Sequence, residues 1–265
     1  MDLTWIHAII LISSGLVVGF INTLAGGGTI ISLSVFMFFG LPPMVANGTN
    51  RIAVLLQNVT AVANFSRKKM IDWDKALRLA IPISLGAIAG AFLANIISNH
   101  FFNYFFGFVI IIFGITLIFE PKRWLKEKSN LVHRSLQWWH YLLFFLIGIY
   151  GGFIHVGVGY LILGSLVLGT GNELVKANAI KNFLVLSYIP VSLLIFALQG
   201  NVNWQYGLIH GIGNVVGAQI ASSIKYKNSG IIIRYVMIAL IVVVILQLFQ
   251  VINSQIISDW LKNLS

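Results

Sequence analysis

A chain of 265 residues that is 58% hydrophobic and only 9% charged falls far below the roughly one-quarter charged residues of a soluble domain, so its solvent must be something other than water. The net charge of +10 does not point to nucleic acid, because the basic residues lie in short loops between apolar runs, where membrane proteins carry them to set topology. With no cysteine, disulfides, thiolate metal sites and cysteine nucleophiles are excluded.

Crossing about 30 Å of hydrocarbon takes roughly 20 helical residues, and apolar runs approaching that length recur along the whole chain. In chain order the predicted segments are 5–21, 29–40, 48–65, 76–97 and 101–119, then 141–154, 159–170, 180–198, 206–224 and 231–252. This recurrence is not that of a removed signal peptide, and residues Met1 to His7 lack the basic segment such a signal needs. All seven tryptophans, at 5, 73, 124, 138, 139, 204 and 260, fall at or just outside segment ends, where amphipathic rings favour the headgroup level.

The two sets of five segments are copies of one pattern. At a constant offset of 131, Gly40 meets Gly171, Ala46-Asn47 meets Ala177-Asn178, Val54-Leu55 meets Val185-Leu186, Trp73 meets Trp204, and Gly86-Ala87 meets Gly217-Ala218. An odd number of segments per copy means that the second copy enters the membrane from the opposite side. Charge gives an independent reading. The loop Ser66 to Lys75 is rich in Lys and Arg and is expected to be cytoplasmic, whereas its counterpart, Gly200 to Gln205, carries no charge. The next pair reverses the bias: Ser98-Asn99-His100 is neutral, and Lys225, Lys227 and Arg234 are basic. The junction holds Lys122, Arg123, Lys126, Lys128 and Arg134 and is expected inside, with both termini extracytoplasmic.

The expected fold is therefore all-α: a polytopic transmembrane helical protein of two inverted-topology repeats, each of about five hydrophobic segments, with short Gly-interrupted helices. The first repeat spans 1–120, a basic cytoplasmic linker 121–140 and the second repeat 141–265. Inverted repeats recur in secondary transporters, which bind substrate near the midplane where the copies meet.

The second segment of each copy is short and follows glycine, as Gly26-Gly27-Gly28-Thr29 and Gly157-Val158-Gly159-Tyr160. Such interrupted segments at matching positions are the best sequence pointer to a transporter's site. Their backbone amides, at helix N-termini of partial positive charge, suit an anion. Gly86-x-x-x-Gly90 and Gly213-x-x-x-Gly217 read instead as close helix packing.

The third segments open with Ala46-Asn47-Gly48-Thr49-Asn50-Arg51 and Ala177-Asn178-Ala179-Ile180-Lys181-Asn182. Each places a cation, Arg51 or Lys181, near the start of a membrane helix, beside paired amides: Asn47 and Asn50, Asn178 and Asn182. Intramembrane cations mark function by default; snorkelling to the interface is the competing reading. His155 matches Asn22 if a two-residue gap is allowed, and offers either a titratable group for proton coupling or a plain hydrogen bond. None of the seven acidic residues lies mid-span, so a cation site or a carboxylate proton relay has nothing to be built from. A donor-rich, carboxylate-free lining implies an anionic substrate.

The string Gly19-Phe20-Ile21-Asn22-Thr23-Leu24-Ala25-Gly26-Gly27-Gly28-Thr29-Ile30, followed by Gly40-Leu41-Pro42-Pro43 and Ala46 to Arg51, resembles the TauE/SafE family of sulfite exporters. The resemblance covers essentially the whole chain. It implies a permease for small sulfur-containing anions, such as sulfite or sulfoacetate, in a prokaryotic inner membrane. The second copy departs from the first by losing the triple glycine and gaining His155.

The expected function is thus secondary-active transport of such an anion by alternating access, through Asn22, Thr23, Gly26, Gly27, Gly28, Thr29, Asn47, Asn50, Arg51, His155, Gly157, Gly159, Asn178, Lys181 and Asn182. A proton or sodium ion is the candidate coupling partner, the bilayer is the solvent, and no metal or cofactor is expected. The alternatives are a transporter of another small anion, a membrane-embedded scaffold or assembly factor, or an enzyme. Against catalysis, the chain has no HExxH, no GxSxG and no pair of membrane aspartates.

Overall fold

A computed structural model describes residues 4–97, 101, 104, 105, 108, 136–170 and 172–223. The predicted fifth segment of each copy and most of the 121–140 linker lie outside the described residues. Helix α1 (Trp5–Leu24) is followed by α2 (Thr29–Phe38), α3 (Pro43–Arg67) and α4 (Trp73–Ile96). Then come α5 (Trp138–Phe153), α6 (Val158–Gly164) with a π-helical continuation (Ser165–Gly169), α7 (Leu174–Leu198) and α8 (Trp204–Ser223).

Local chemistry explains the starts. Pro43 opens α3 at a position that needs no N–H. Asp72 caps α4 by accepting from the Lys75 amide at 3.2 Å. Helices α1 and α5 begin alike: His7 Nδ1 accepts from the Thr4 amide at 3.2 Å, and His140 Nδ1 from the Gln137 amide at 2.9 Å. The third predicted segments start too late. Helices α3 and α7 begin at 43 and 174, not 48 and 180, because the polar stretches 46–51 and 177–182 are themselves helical. Arg51 and Lys181 therefore sit about two turns inside their helices rather than near the start.

Helices α3 and α7 keep the 131-residue spacing, each 25 residues long. Around the breaks the spacing shifts. Trp5 and Trp138, at the starts of α1 and α5, are 133 apart, and so are Asn22 and His155, yet α5 stops at Phe153, four residues short of an α1-length helix. Asn22 is consequently in the last turn of α1, while His155 lies in the non-helical stretch after α5. The second copy recovers two of those four residues where its short helix continues into π turns, spanning 158–169 against 29–38 in the first.

The most extensive contacts join α1 to α8 and α4 to α5, and α3 and α7 cross at the centre. Both outer pairs are held by glycines that let backbones approach. A methyl on Gly213 or Gly217 would run into the carbonyls of Ile12 or Leu16, and one on Gly15 or Gly19 into those of His210 or Asn214. In the other pair, Gly86 and Gly90 lie against Phe145 and Ile149, and Gly148 and Gly152 against Ile83 and Ala87. This is the packing expected where lipid supplies no hydrophobic drive between helices. Both main apolar clusters mix residues from either side of the junction, one joining Phe65 and Leu79 to Phe144 and Leu184, the other Leu11 and Phe36 to Phe153 and Phe196.

Outward faces carry apolar stripes at helical spacing, Leu77-Ile81-Leu85 on α4 and Leu208-Ile212-Val216-Ile220 on α8, all exposed. Three helices, α1, α4 and α7, are long and apolar enough to cross a membrane. Trp5, Trp73, Trp138, Trp139 and Trp204 are exposed near helix starts. This is the exterior of an integral membrane protein, inverted relative to a soluble one.

Candidate functional site

The two helix breaks meet at the centre of the molecule. A methyl on Gly26 would lie 2.5 Å from Gly159 Cα, and the reverse is equally true. Gly26 also has φ of +98°, a conformation that side chains rarely adopt. Only bare backbone fits where the two breaks touch.

Each break leaves helix carbonyls without intrahelical partners in a region where an unpaired carbonyl is costly. The partners come across the molecule. From α7, Lys181 Nζ donates to Asn22 O at 2.7 Å and Thr23 O at 3.2 Å, and Asn178 Nδ2 and Asn182 Nδ2 donate to Thr23 O at 2.8 and 3.3 Å. From α3, Arg51 donates to Gly152 O at 2.7 Å and Gly151 O at 3.4 Å, and Asn47 Nδ2 to Phe153 O at 3.0 Å. A cation at a helix C-terminus is favoured by the dipole as well as by the hydrogen bonds. The Arg51 guanidinium also lies 4.3 Å from the centre of the Phe196 ring. Arg51 is 0% and Lys181 1% exposed, so neither snorkels.

Beside the Gly26–Gly159 contact lies a small pocket lined by Asn22, Gly26, Gln57, Asn58, His155, Gly159, Lys181, Asn182 and Val185. Six of the fifteen residues expected at the site line it: Asn22, Gly26, His155, Gly159, Lys181 and Asn182. Asn47, Arg51 and Asn178 stand behind, clamping the cut helices, and Thr23 supplies the α1 carbonyl that Asn178 holds. Gly28, whose amide donates to Asn22 Oδ1 at 2.7 Å, and Thr29 shape the first break, with Gly27 between the contact and the start of α2. Gly157, at φ of +68°, shapes the second. Asn50 is fully buried, and neither amide atom has a partner among the described residues.

Three of the backbone amides expected to cradle an anion have partners within the protein. The Gly26 amide donates to Ile21 O, that of Gly28 to Asn22 and that of Tyr160 to Gly157 O.

Gln57, Asn58 and Tyr188 were not anticipated. Tyr188 OH pairs with His155 Nδ1 at 2.9 Å, and Asn22 Nδ2 donates to Gln57 Oε1 at 3.4 Å. These pairs correspond, since Gln57 and Tyr188 are 131 residues apart and Asn22 and His155 are the residues matched across the gap. The missed signal was spacing. Gln57, Asn58 and Tyr188 each follow Asn50, Arg51 and Lys181 by seven positions, two turns along the same helical face.

Electrostatically the pocket is one-sided. Asp72, Asp74 and Glu173, the acidic residues among those described, are exposed and far along their helices or loops from the breaks. Among the described residues no cluster of side chains could hold a metal ion.

The family model for the sulfite exporter TauE/SafE matches residues 11–248. The chain belongs to this family. Among its relatives, a probable membrane transporter protein, ORF9, of a Sinorhizobium species is 27% identical over 88% of this chain and 88% of its own length. A probable membrane transporter protein of Haemophilus influenzae is 27% identical over 85% of this chain and 88% of its own. The probable membrane transporter protein YfcA of Escherichia coli K12 is 26% identical over 92% and 90%. No solved structure matches significantly. This TauE/SafE protein is thus a membrane transporter by family, and the first of its central breaks falls within the motif at 19–30.

Proposed function

We propose that the chain is a secondary-active transporter of small sulfur-containing anions, such as sulfite, sulfoacetate or a related organosulfonate, in a plasma membrane. In this reading the two copies are inverted in the membrane, with both termini extracytoplasmic, and they rock about the central breaks to expose the pocket alternately. The observation that carries it is the pocket itself: Lys181 lines a buried space rich in amides, at the meeting of two interrupted helices, with no carboxylate to neutralise it. A buried cation is costly, and an anion entering the pocket would offset that cost.

The pocket divides the residues by role. Lys181 both clamps α1 and faces the substrate, whereas Arg51 clamps α5 and acts on the anion only through that framework. Uptake of radiolabelled sulfite and sulfoacetate into proteoliposomes tests the assignment. Lys181→Met is expected to lose at least about tenfold in uptake, the worth of one charge-assisted hydrogen bond to the anion. Lys68→Ala, which alters a basic loop, is expected to stay near the unaltered rate. Equal rates for the two variants would exclude the assigned site.

A further inference from the structure

An anion with no hydrogens of its own only accepts hydrogen bonds, so a pocket matched to it should present donors alone. Two pocket walls do otherwise. Asn182 commits its Nδ2 to Asn178 O at 2.8 Å and Thr23 O at 3.3 Å. Its Oδ1 is fully buried and accepts from nothing among the described residues. Asn58, 1% exposed, donates one Nδ2 hydrogen to Val54 O at 2.7 Å, which leaves its oxygen, with one N–H, to offer the pocket. Carbonyls only accept, so these contacts fix which end of each amide is nitrogen. The two oxygens come from α3 and α7, the helices whose side chains clamp the breaks. The same lining carries donors: Lys181 Nζ, and the Gln57 amide nitrogen, whose own oxygen already accepts from Asn22.

We infer that the preferred substrate is a small anion bearing its own N–H or O–H donor. Its charged oxygens face Lys181 and Gln57, and its donor meets the amide oxygens of Asn58 and Asn182. This rests on the anion-transport reading above and narrows it, favouring hydrogensulfite over the sulfite dianion and over ionised sulfoacetate: an unpaired buried acceptor disfavours a ligand that cannot fill it, so the pocket discriminates against aprotic anions of equal size and charge.

Sulfamate and methanesulfonate separate the two cases. Both are tetrahedral monoanions of nearly the same shape, and they differ in an amino group against a methyl group. Each is titrated against the full chain in detergent by thermal stabilisation, and each is used to compete with sulfite uptake in proteoliposomes. Sulfamate is expected to bind about tenfold more tightly, the worth of one hydrogen bond to a buried acceptor. In Asn182→Ala the ratio is expected to fall towards one, mainly through weaker sulfamate binding. The comparison in the unaltered chain decides the matter whether or not that variant folds. Methanesulfonate binding as tightly as sulfamate, or more tightly, overturns the donor requirement and leaves anion transport standing. Silence from both, together with silence from sulfite and sulfate, overturns the transport reading itself.

Discussion

Gly26 shows how much one residue carries here. It supplies a left-handed turn after α1, it touches Gly159 backbone to backbone, and it lines the pocket. Gly26→Ala adds a methyl at a strained φ and drives it to 2.5 Å from Gly159 Cα. Strain and overpacking together should cost roughly 2–4 kcal/mol. Gly200 is the natural comparison, since its φ is +73° but a methyl there would meet nothing within 4 Å. Gly200→Ala should cost only the conformational part, about 1 kcal/mol. Thermal unfolding of both variants in detergent reads the difference, and equal losses would mean that the contact between the breaks contributes nothing. At this scale much was legible in the sequence: the glycines, the repeated asparagines and both cations were visible as residues that a membrane span carries only for a purpose. What they touch was not legible. Arg51 clamps the end of α5, a contact invisible in the sequence because spacing shows which face a cation occupies but not which carbonyls lie opposite.

At the scale of elements, the same composition serves two opposite ends. Glycines on α1, α4, α5 and α8 draw backbones together, while large apolar residues on the other faces meet lipid. Gly86→Leu should therefore separate α4 from α5 and sharply reduce the yield of folded protein, since overpacking a close helix contact costs upwards of about 1–3 kcal/mol. Leu85→Ala, next in sequence but on the exposed face, should leave yield and melting temperature almost unchanged. Size-exclusion profiles of the two variants check this, and a normal profile for Gly86→Leu would rule out the packing role. Helix positions were readable from apolar runs, and the error at the third segments has a physical origin. A polar stretch such as Asn47-Gly48-Thr49-Asn50-Arg51 stays helical at membrane depth when other helices supply its partners, and a search for apolar runs cannot see those partners. The glycine stripes at 15 and 19 and at 148 and 152 obey the same four-residue spacing as the pair recognised at 86 and 90, but inside strongly apolar runs they read as ordinary membrane helix.

For the whole molecule, the proposed inversion makes a prediction that the absence of cysteine renders simple to test, since any introduced thiol is the only one present. Arg67→Cys at the exposed end of α3 and Gln199→Cys at the exposed end of α7 occupy comparable places 132 residues apart. In intact cells an impermeant maleimide should label Gln199→Cys and should reach Arg67→Cys only after the membrane is opened. Labelling of both from outside would refute the inverted arrangement, whatever the transport activity.

The crossed clamps also bear on how the protein is made. The carbonyls left open where α1 stops are closed by side chains of α7, about 150 residues later in synthesis, and those at the end of α5 by side chains from α3. An early half released into the bilayer alone would hold Arg51 without its acceptors and α1 without its donors, so it has no self-sufficient resting state. Maturation is consequently a single commitment, completed only when the later half has emerged, and a truncation anywhere before α7 should be a substrate for membrane proteolysis rather than a smaller working unit.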